Sequence, residues 1–443
     1  MELLHASIHS SRMTRLRRES MESRGKTVLM IAYHFPPAAM GSGHLRTLGF
    51  AKYLPSLDWE PVVLSVHARA YPRVDPANEA LIPQSCRVHR AFALDARRHM
   101  GIGGKYPAFL AQPDRWVSWW PSAVLQGLRL VRKYKISAIW STYPIMTAHC
   151  IAYTLSRLTG LPWIADFRDP VISSVAMQNR MTVSTQRRWE CRVLSRATHT
   201  VFTTPGAMQS YVERYPQVYR EGRMSVIQNG FDEPSFTTFP EAKPYQPGRP
   251  LRLVHSGILY PSGRDPVPFF TALARLRASG TVTADDVKVT LRASGSEALY
   301  AAEIKRLGLD EMVTLASHVS HRQALVEQAY ADALLLFQGE QYDRQIPAKL
   351  YEYLRIGRPI FALVGEQGDT AAVLHDTGGA EIVPLDDVSL IEKRLGEFIR
   401  ALREGRALKA DPDRVQQFSR HHAAVMLAGV LDRISHQTCI KSL

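Results

Sequence analysis

The period of the hydrophobic pattern changes repeatedly along this chain. The run Thr27-Val28-Leu29-Met30-Ile31-Ala32 is continuously apolar, as in a strand buried on both faces. It passes through a loop bearing Pro36, Pro37, Gly41 and Gly43 into helical spacing from Leu45 to Leu54. Further short apolar runs at 61–66, 138–141, 163–166 and 200–203 alternate with helical stretches at 123–134 and 147–158. Strands this short, separated by helices, predict a mostly parallel sheet covered on both sides. After Asn229-Gly230-Phe231-Asp232 the pattern lapses, and residues 237–250 carry four prolines and little apolar content. A second cycle follows, with strands predicted at 251–255, 287–293, 313–315, 333–337, 359–364 and 381–384 and helices at 267–276, 297–307 and 350–355.

Two doubly wound α/β domains in tandem follow from this alternation. The expected boundaries are a tail over 1–24, a first domain over 25–236, a linker over 237–250 and a second domain over 251–414. From Val415 to Ile434 apolar positions form one broad stripe, so 415–435 reads as a C-terminal helix that needs a folded partner.

Composition narrows the function. The chain has 443 residues, 45% hydrophobic and 22% charged, enough apolar content for two folded cores. Cys86, Cys150, Cys191 and Cys439 show no paired spacing, which argues against a disulfide framework or a CxxC metal site and suits a reducing cytoplasm. The basic segment with Arg12, Arg15, Arg17, Arg18 and Arg24 lacks the apolar run of a secretory signal and reads as a disordered tail, with Met13 or Met21 an alternative start. No stretch reaches the ~20 apolar residues of a spanning helix. The formal charge of +14 points to an anionic partner. Dispersed basic residues, without zinc-finger spacing, an aromatic RNP-like strand or a basic heptad region, argue against nucleic acid. An acidic lipid surface or a phosphate-bearing substrate remains.

The most informative stretch is Ile346-Pro347-Ala348-Lys349-Leu350-Tyr351-Glu352-Tyr353, followed by Gly357-Arg358-Pro359. A helix starting after Pro347 puts Lys349 in its first turn and Glu352 one turn later on nearly the same face, and Gly357 ends it. Free N–H groups of that first turn and the Lys349 ammonium favour a diphosphate, while a carboxylate at Glu352 suits ribose hydroxyls. An exposed Lys–Glu pair of purely local effect is the competing reading.

This stretch resembles the donor-site helix of GT-B glycosyltransferases of the family-4-like group. The resemblance extends over nearly the whole chain past residue 25. Gly41-Ser42-Gly43-His44-Leu45-Arg46 is similar to the family's first loop, whose glycines lie near the donor diphosphate, and Asn229-Gly230-Phe231-Asp232 to the segment that closes its first domain. His255-Ser256-Gly257-Ile258-Leu259-Tyr260 with Arg264 is similar to its strand–Gly loop and basic phosphate ligand, and 313–319, ending Ser317-His318-Val319, to the segment whose backbone reads the base.

The resemblance therefore implies two Rossmann-like domains facing across a cleft, with the C-terminal helix packing back. It implies a nucleotide-sugar site of Gly41, Gly43, Gly257, Arg264, His318, Val319, Lys349 and Glu352, with no bound cofactor or metal. Two positions depart from the family: Ile258 stands where an arginine is usual, and Arg344 where the first of two glutamates eight apart normally touches the hexose. Gln338, Glu340 or Asp343 would have to replace that glutamate.

In the first domain, Ser141-Thr142-Tyr143-Pro144 with His149, and Asp166-Phe167-Arg168-Asp169-Pro170, are similar to subgroup signatures at strand ends. Asp169 or His149 would then orient or deprotonate an acceptor hydroxyl; alternatively Arg168 and Asp169 form a structural ion pair. The segment Arg115-Trp116-Val117-Ser118-Trp119-Trp120 reads either as a membrane-facing edge or as a cap on the core.

The expected activity is transfer of a hexose from a nucleoside diphosphate sugar to a polysaccharide, lipopolysaccharide or lipid-linked acceptor. Retention is implied by the family, and the setting is cytoplasmic or at the inner membrane face. A sugar-nucleotide 2-epimerase and a non-catalytic sugar-nucleotide-binding protein are the alternatives.

Overall fold

A computed structural model describes residues 26–39, 41–101, 105–107, 111–168, 180–237 and 245–440. Asp169 and the basic tail lie outside the described residues. The chain divides into two compact units: the first takes the described residues up to 168 together with 180–201 and 424–440, and the second those of 202–423.

Strand β1 (Lys26–Ile31) leads through a 3-10 turn at Gly41–His44 into helix α1 (Leu45–Tyr53), then β2 (Trp59–Val66) and β3 (Arg87–Ala91). There follow α2 (Trp119–Tyr134), β4 (Ala138–Thr142), α3 (Met146–Thr159), β5 (Trp163–Phe167), α4 (Arg180–Arg196), β6 (His199–Phe202), α5 (Pro205–Arg214) and β7 (Met224–Val226). The sheet order is β3-β2-β1-β4-β5-β6-β7, with parallel pairing from β3 through β5. The first strand thus sits inside the sheet, with later strands added outward on both sides. That reversal between β1 and β4 opens a crevice at the carboxyl ends of the strands, the usual ligand position in such sheets.

The second unit repeats the scheme. It runs β8 (Leu251–Ser256), α6 (Val267–Ala278), β9 (Val287–Arg292), α7 (Glu297–Arg306), β10 (Val313–Ala316), α8 (His321–Tyr330) and β11 (Ala333–Gln338). Then come α9 (Ala348–Ile356), β12 (Ile360–Val364), α10 (Asp369–Thr377), β13 (Ala380–Val383), α11 (Val388–Arg403), α12 (Pro412–Gln416) and α13 (Arg420–Ile440). The order β10-β9-β8-β11-β12-β13 places the reversal between β8 and β11. Alternate residues of the central strands feed two separate cores. Leu253, Leu335, Phe337, Phe361 and Leu363 enter one, and Val254, Leu334, Leu336, Ile360 and Ala362 the other. Period-two burial on both faces is why these strands read as unbroken apolar runs.

Three features of the organisation go beyond the pattern along the chain. The division into compact units falls at the end of β6, and Phe231 and Phe236 are buried in the second unit's core. The Phe231 N–H donates to the Phe418 carbonyl at 3.1 Å. Within the expected linker, residues 245–250 are fastened down: Arg249 makes two hydrogen bonds to the Asp332 carboxylate at 2.7 and 2.8 Å. The stripe over 415–434 is split between α12 and α13, since Ser419 leaves the helix to bridge Phe231.

From Ala424 onward α13 packs in the first unit, burying Leu427, Leu431 and Ile434. Its Asp432 accepts from the Lys26 ammonium at 2.8 Å and the Trp59 indole N–H at 3.0 Å. The Trp116–Trp120 segment belongs to the core and not to a membrane-facing edge. Trp116 and Trp119 are buried beside Tyr33, and Trp120 donates to Thr154 at 2.9 Å.

The Gly230 position tests the Phe231–Phe418 junction. A Cβ there would collide with the Phe418 carbonyl oxygen, so Gly230→Ala should destabilise the second unit by about 1–3 kcal/mol, the usual cost of overpacking. Denaturant unfolding with a tryptophan-independent probe measures this, and an unchanged midpoint would mean that the junction yields freely.

Candidate functional site

Strand β8 ends at Ser256 and is followed by Gly257, whose φ of +115° suits glycine. The missing side chain also makes room: a Cβ at Gly257 would lie 2.8 Å from Lys349 Nζ. Lys349 reaches this point because Pro347 stops extended structure and launches α9 with Lys349 in its first turn, and Gly357, in the left-handed conformation, ends the helix as expected. The Ser256 N–H donates to the Tyr353 hydroxyl at 3.0 Å, which ties the strand end to the same helix.

His255 completes the seat. Buried, with its pKa held well below the ordinary imidazole value by loss of water and then by the Lys349 charge, it is neutral and has one N–H. Nδ1 lies 2.9 Å from the Leu335 carbonyl, and Nε2 lies 3.1 Å from both the Gly257 carbonyl and Lys349 Nζ; with the proton on Nδ1, the Nε2 lone pair accepts from the Lys349 ammonium. Burial first and the Arg264 charge second lower the Lys349 pKa to about 7, with Glu352 working against both.

Arg264 stands against the rings of Tyr260 and Tyr342, its guanidinium carbon 5.3 and 5.7 Å from their centroids. Its Nε is buried without a hydrogen-bond partner. Two cations thus converge at the mouth of β8, and neither forms an ion pair with a carboxylate among the described residues.

Glu352 lies on the same helix one turn on, and its Oε1 accepts from His321 Nε2 at 2.8 Å. That hydrogen bond raises the His321 pKa. His321 opens α8, so it stands two residues past Val319 and three past His318, which is exposed in the loop after β10. Arg292 holds this loop by donating to the Ser317 carbonyl at 2.7 Å while paired with Glu327. The structure therefore brings Gly257, Arg264, Lys349 and Glu352 to one end of the second sheet, with the His318–Val319 loop beside Glu352 through His321.

The positions that depart from the family have other occupations. Ile258 is exposed, and Arg344 pairs with Glu213 at 3.0 Å. Gln338 is consumed internally: its amide donates to the Tyr342 and Gln345 carbonyls, and its oxygen accepts from Thr370. Glu340 is exposed, and burial pushes the Asp343 carboxyl pKa up.

In the first unit, Gly41 and Gly43 form the 3-10 turn after β1, at that sheet's own reversal. Gly43 is closely enclosed: its carbonyl accepts from Arg168 Nη1 at 2.6 Å, and a Cβ would meet Arg168 and His34 at 3.3 Å. Behind it the buried Arg46 guanidinium donates to Asp166 at 2.7 to 3.2 Å, and Thr142 donates to the same carboxylate at 2.7 Å.

His149 does not fit the acceptor role in this structure. It is 0% exposed, its Nδ1 is 2.7 Å from Ser141 Oγ, and burial lowers its pKa to about 3. The Trp163 indole N–H donates to the same hydroxyl at 2.8 Å, so His149 is a neutral core group out of reach of an acceptor. His255 and His321 join the candidate site without a signal in the sequence that assigns them to it: His255 precedes Ser256-Gly257 with no role of its own, and His321 is 31 positions from Glu352. Among the described residues no group of His, Cys, Asp and Glu is arranged to hold a metal ion.

Residues 42–230 match the glycosyl transferase 4-like domain family. The chain also superimposes on sucrose-phosphate synthase from Thermosynechococcus elongatus with a TM-score of 0.62 and 16% identity, covering 92% of this chain and 99% of that one. HepE from Anabaena, solved with UDP and glucose, gives 0.57 and 15% over 92% and 100%. The lipopolysaccharide outer core galactosyltransferase WaaB gives 0.58 and 14% over 94% and 100%. No curated protein matches the chain by sequence. The structural likenesses show the fold, and the family match shows a glycosyl transferase 4-like domain over residues 42–230, a little under half of the chain.

The Arg46–Asp166 pair is the test of what supports the first glycine turn. Asp166→Ala would leave a buried guanidinium uncompensated and should cost about 3–5 kcal/mol, with Asp166→Asn costing less. Urea unfolding of both variants reads this; a parent-like midpoint for Asp166→Ala would mean that the arginine finds water or another partner.

Proposed function

We propose that this glycosyltransferase moves a hexosyl group from a nucleoside diphosphate sugar to a hydroxyl of a glycan or lipid-linked acceptor, the second unit holding the donor and the first selecting the acceptor. The observation that carries the reading is the convergence of Lys349 and Arg264, neither ion-paired to a carboxylate, at the carboxyl end of β8. Two cations held close together repel each other, and a diphosphate relieves that repulsion better than any single carboxylate. In the reaction the bond from the anomeric carbon to the diphosphate breaks, a bond to the acceptor oxygen forms, and the acceptor proton leaves. Lys349 and Arg264 stabilise the charge that grows on the departing diphosphate.

Glu352, oriented by His321, accepts from ribose hydroxyls, and the His318–Val319 loop lies against the base. HepE was solved with UDP-glucose, with which it superimposes on this chain at a TM-score of 0.53; that makes UDP-glucose the first donor to try. Asp169 remains the proposed acceptor-side base, with retention at the anomeric carbon as the family resemblance implies.

Incubation with a panel of nucleotide sugars, with and without acceptor extract, tests the reading. Diphosphate release that depends on acceptor supports it, whereas epimerisation without acceptor, or binding without turnover, would replace it. Lys349→Ala and Glu352→Ala should each weaken UDP-glucose binding by roughly tenfold or more while the fold is kept, in line with losing a charged hydrogen bond. Unchanged affinity in both would remove the donor-site assignment.

The depressed Lys349 pKa also gives a sign. A neighbouring diphosphate raises that pKa from about 7, so binding of UDP-glucose takes up a proton above pH 7 and none well below it. Affinity should therefore fall as pH rises past 7. Calorimetry in two buffers of different ionisation enthalpy measures the uptake, and Lys349→Met should abolish it.

A further inference from the structure

Helices α2, α3 and α4 pack side by side on one face of the first sheet. Their sequences contain a single carboxylate, Glu190, and it is fully buried. The outward side chains include Arg129, Arg132 and Lys133 on α2, Arg157 on α3, and Arg188 and Arg192 on α4, all exposed. No ion pair within the described residues involves any of these six. A solvated helical layer normally intersperses both signs, so a layer of cations alone is a strong local field.

Apolar side chains stand out among these cations. Leu125 on α2 is 61% exposed and Leu158 at the end of α3 is 62% exposed. Met181 on α4 is also exposed, as is Phe92, whose carbonyl accepts from Ser122 on α2 at 2.5 Å. Beneath the surface an aromatic seam locks the helices together: Trp120 meets Trp189 at 5.2 Å, and Tyr153 meets Trp189 at 5.7 Å, both edge-on. A shallow groove of about 510 Å³ between α3 and α4 is lined by Tyr153, Arg188, Cys191, Arg192, Ser195 and Arg196.

We infer that this face docks on an anionic lipid bilayer, its cations against the headgroups, Leu125 and Leu158 below them, and a headgroup phosphate in the Arg188–Arg192 groove. Charge complementarity selects an anionic partner, and the exposed leucines select a bilayer over nucleic acid, which offers phosphates but no apolar layer. Among the described residues no helix is long and apolar enough to cross a membrane, so contact of this kind is reversible and salt-dependent. The inference is independent of the donor site, since it uses none of its residues.

Co-sedimentation of the full chain with vesicles tests it, using phosphatidylcholine alone and equal parts phosphatidylcholine and phosphatidylglycerol. Binding to the anionic vesicles only, weakened by salt, is expected. Arg188→Gln with Arg192→Gln should weaken it about 25-fold, on the order of fivefold per cation. Leu125→Gln with Leu158→Gln should weaken it roughly tenfold or more through lost apolar burial. Arg129→Gln with Arg132→Gln serves in place of the α4 pair if that pair lowers the thermal midpoint. Absence of binding to anionic vesicles overturns the inference. So does parent-like binding by the folded arginine variants, or equal affinity for a DNA duplex; unchanged binding by the leucine pair overturns the insertion of those side chains.

Discussion

A positive charge withdrawn from water and ion-paired with no carboxylate among the described residues is the constraint around which the second unit is arranged. Lys349 would shed its proton readily in such a place, and its pKa of about 7 is the measure of that pressure. What holds the ammonium is one neutral imidazole lone pair, and what admits it is one missing Cβ. The supports are themselves fixed: His255 by the Leu335 carbonyl of the neighbouring strand, Gly257 by donating to the Arg292 carbonyl at 2.8 Å, and α9 by the Tyr353 hydroxyl. Arg264 adds a second positive charge and so increases the tension. A site built this way favours an anion, and under the proposed function that preference links the reversal of strand order at β8 and β11 to the chemistry of the donor.

The first unit shows the same topology with the opposite electrostatic solution. Its glycine turn also follows the first strand, but the buried cation behind it, Arg46, is matched by Asp166 and the Thr142 hydroxyl. A paired, hydrogen-bonded ion pair of this sort positions backbone and leaves no charge to offer. The contrast assigns different tasks to two sheets wound alike: fixed loop geometry in the first, unsatisfied positive charge in the second.

How much of this was legible in the chain depends on what each residue must answer to. Strand β11, six buried residues in a row, and helix α9, bracketed by Pro347 and Gly357, follow from local chemistry and appear where their pattern places them. Strand β3 was not legible, because Arg87-Val88-His89-Arg90-Ala91 lies at the sheet edge and is largely solvated, so it carries little apolar signal. The break at Ser419 was hidden by an apolar stripe that continues across it, since only the distant Phe231 reveals why the helix stops. His149 misled for a related reason: sequence cannot show that Ser141, Trp163 and Phe167 close over it. His321 was invisible because its partner Glu352 lies on another helix.

Net charge was the least informative feature as a sum and the most informative once distributed. The formal +14 contains three populations that composition cannot separate. Arg46 and Arg249 are matched by Asp166 and Asp332 and serve the fold. Lys349 and Arg264 are partly withdrawn from water and paired with no carboxylate among the described residues, and the proposed function gives them the phosphate. The cations of α2, α3 and α4 stand in solvent, where a single surface charge has little effect but a layer without carboxylates sums to a field that reaches about a Debye length, ~10 Å. Burial decides whether a cation stabilises the fold or a ligand, and the sign of its neighbours decides whether an exposed one is neutralised or recruits a partner. The same residue type thus acts on three scales in this chain, from a hydrogen bond at Asp166 to the reach of a whole helical face.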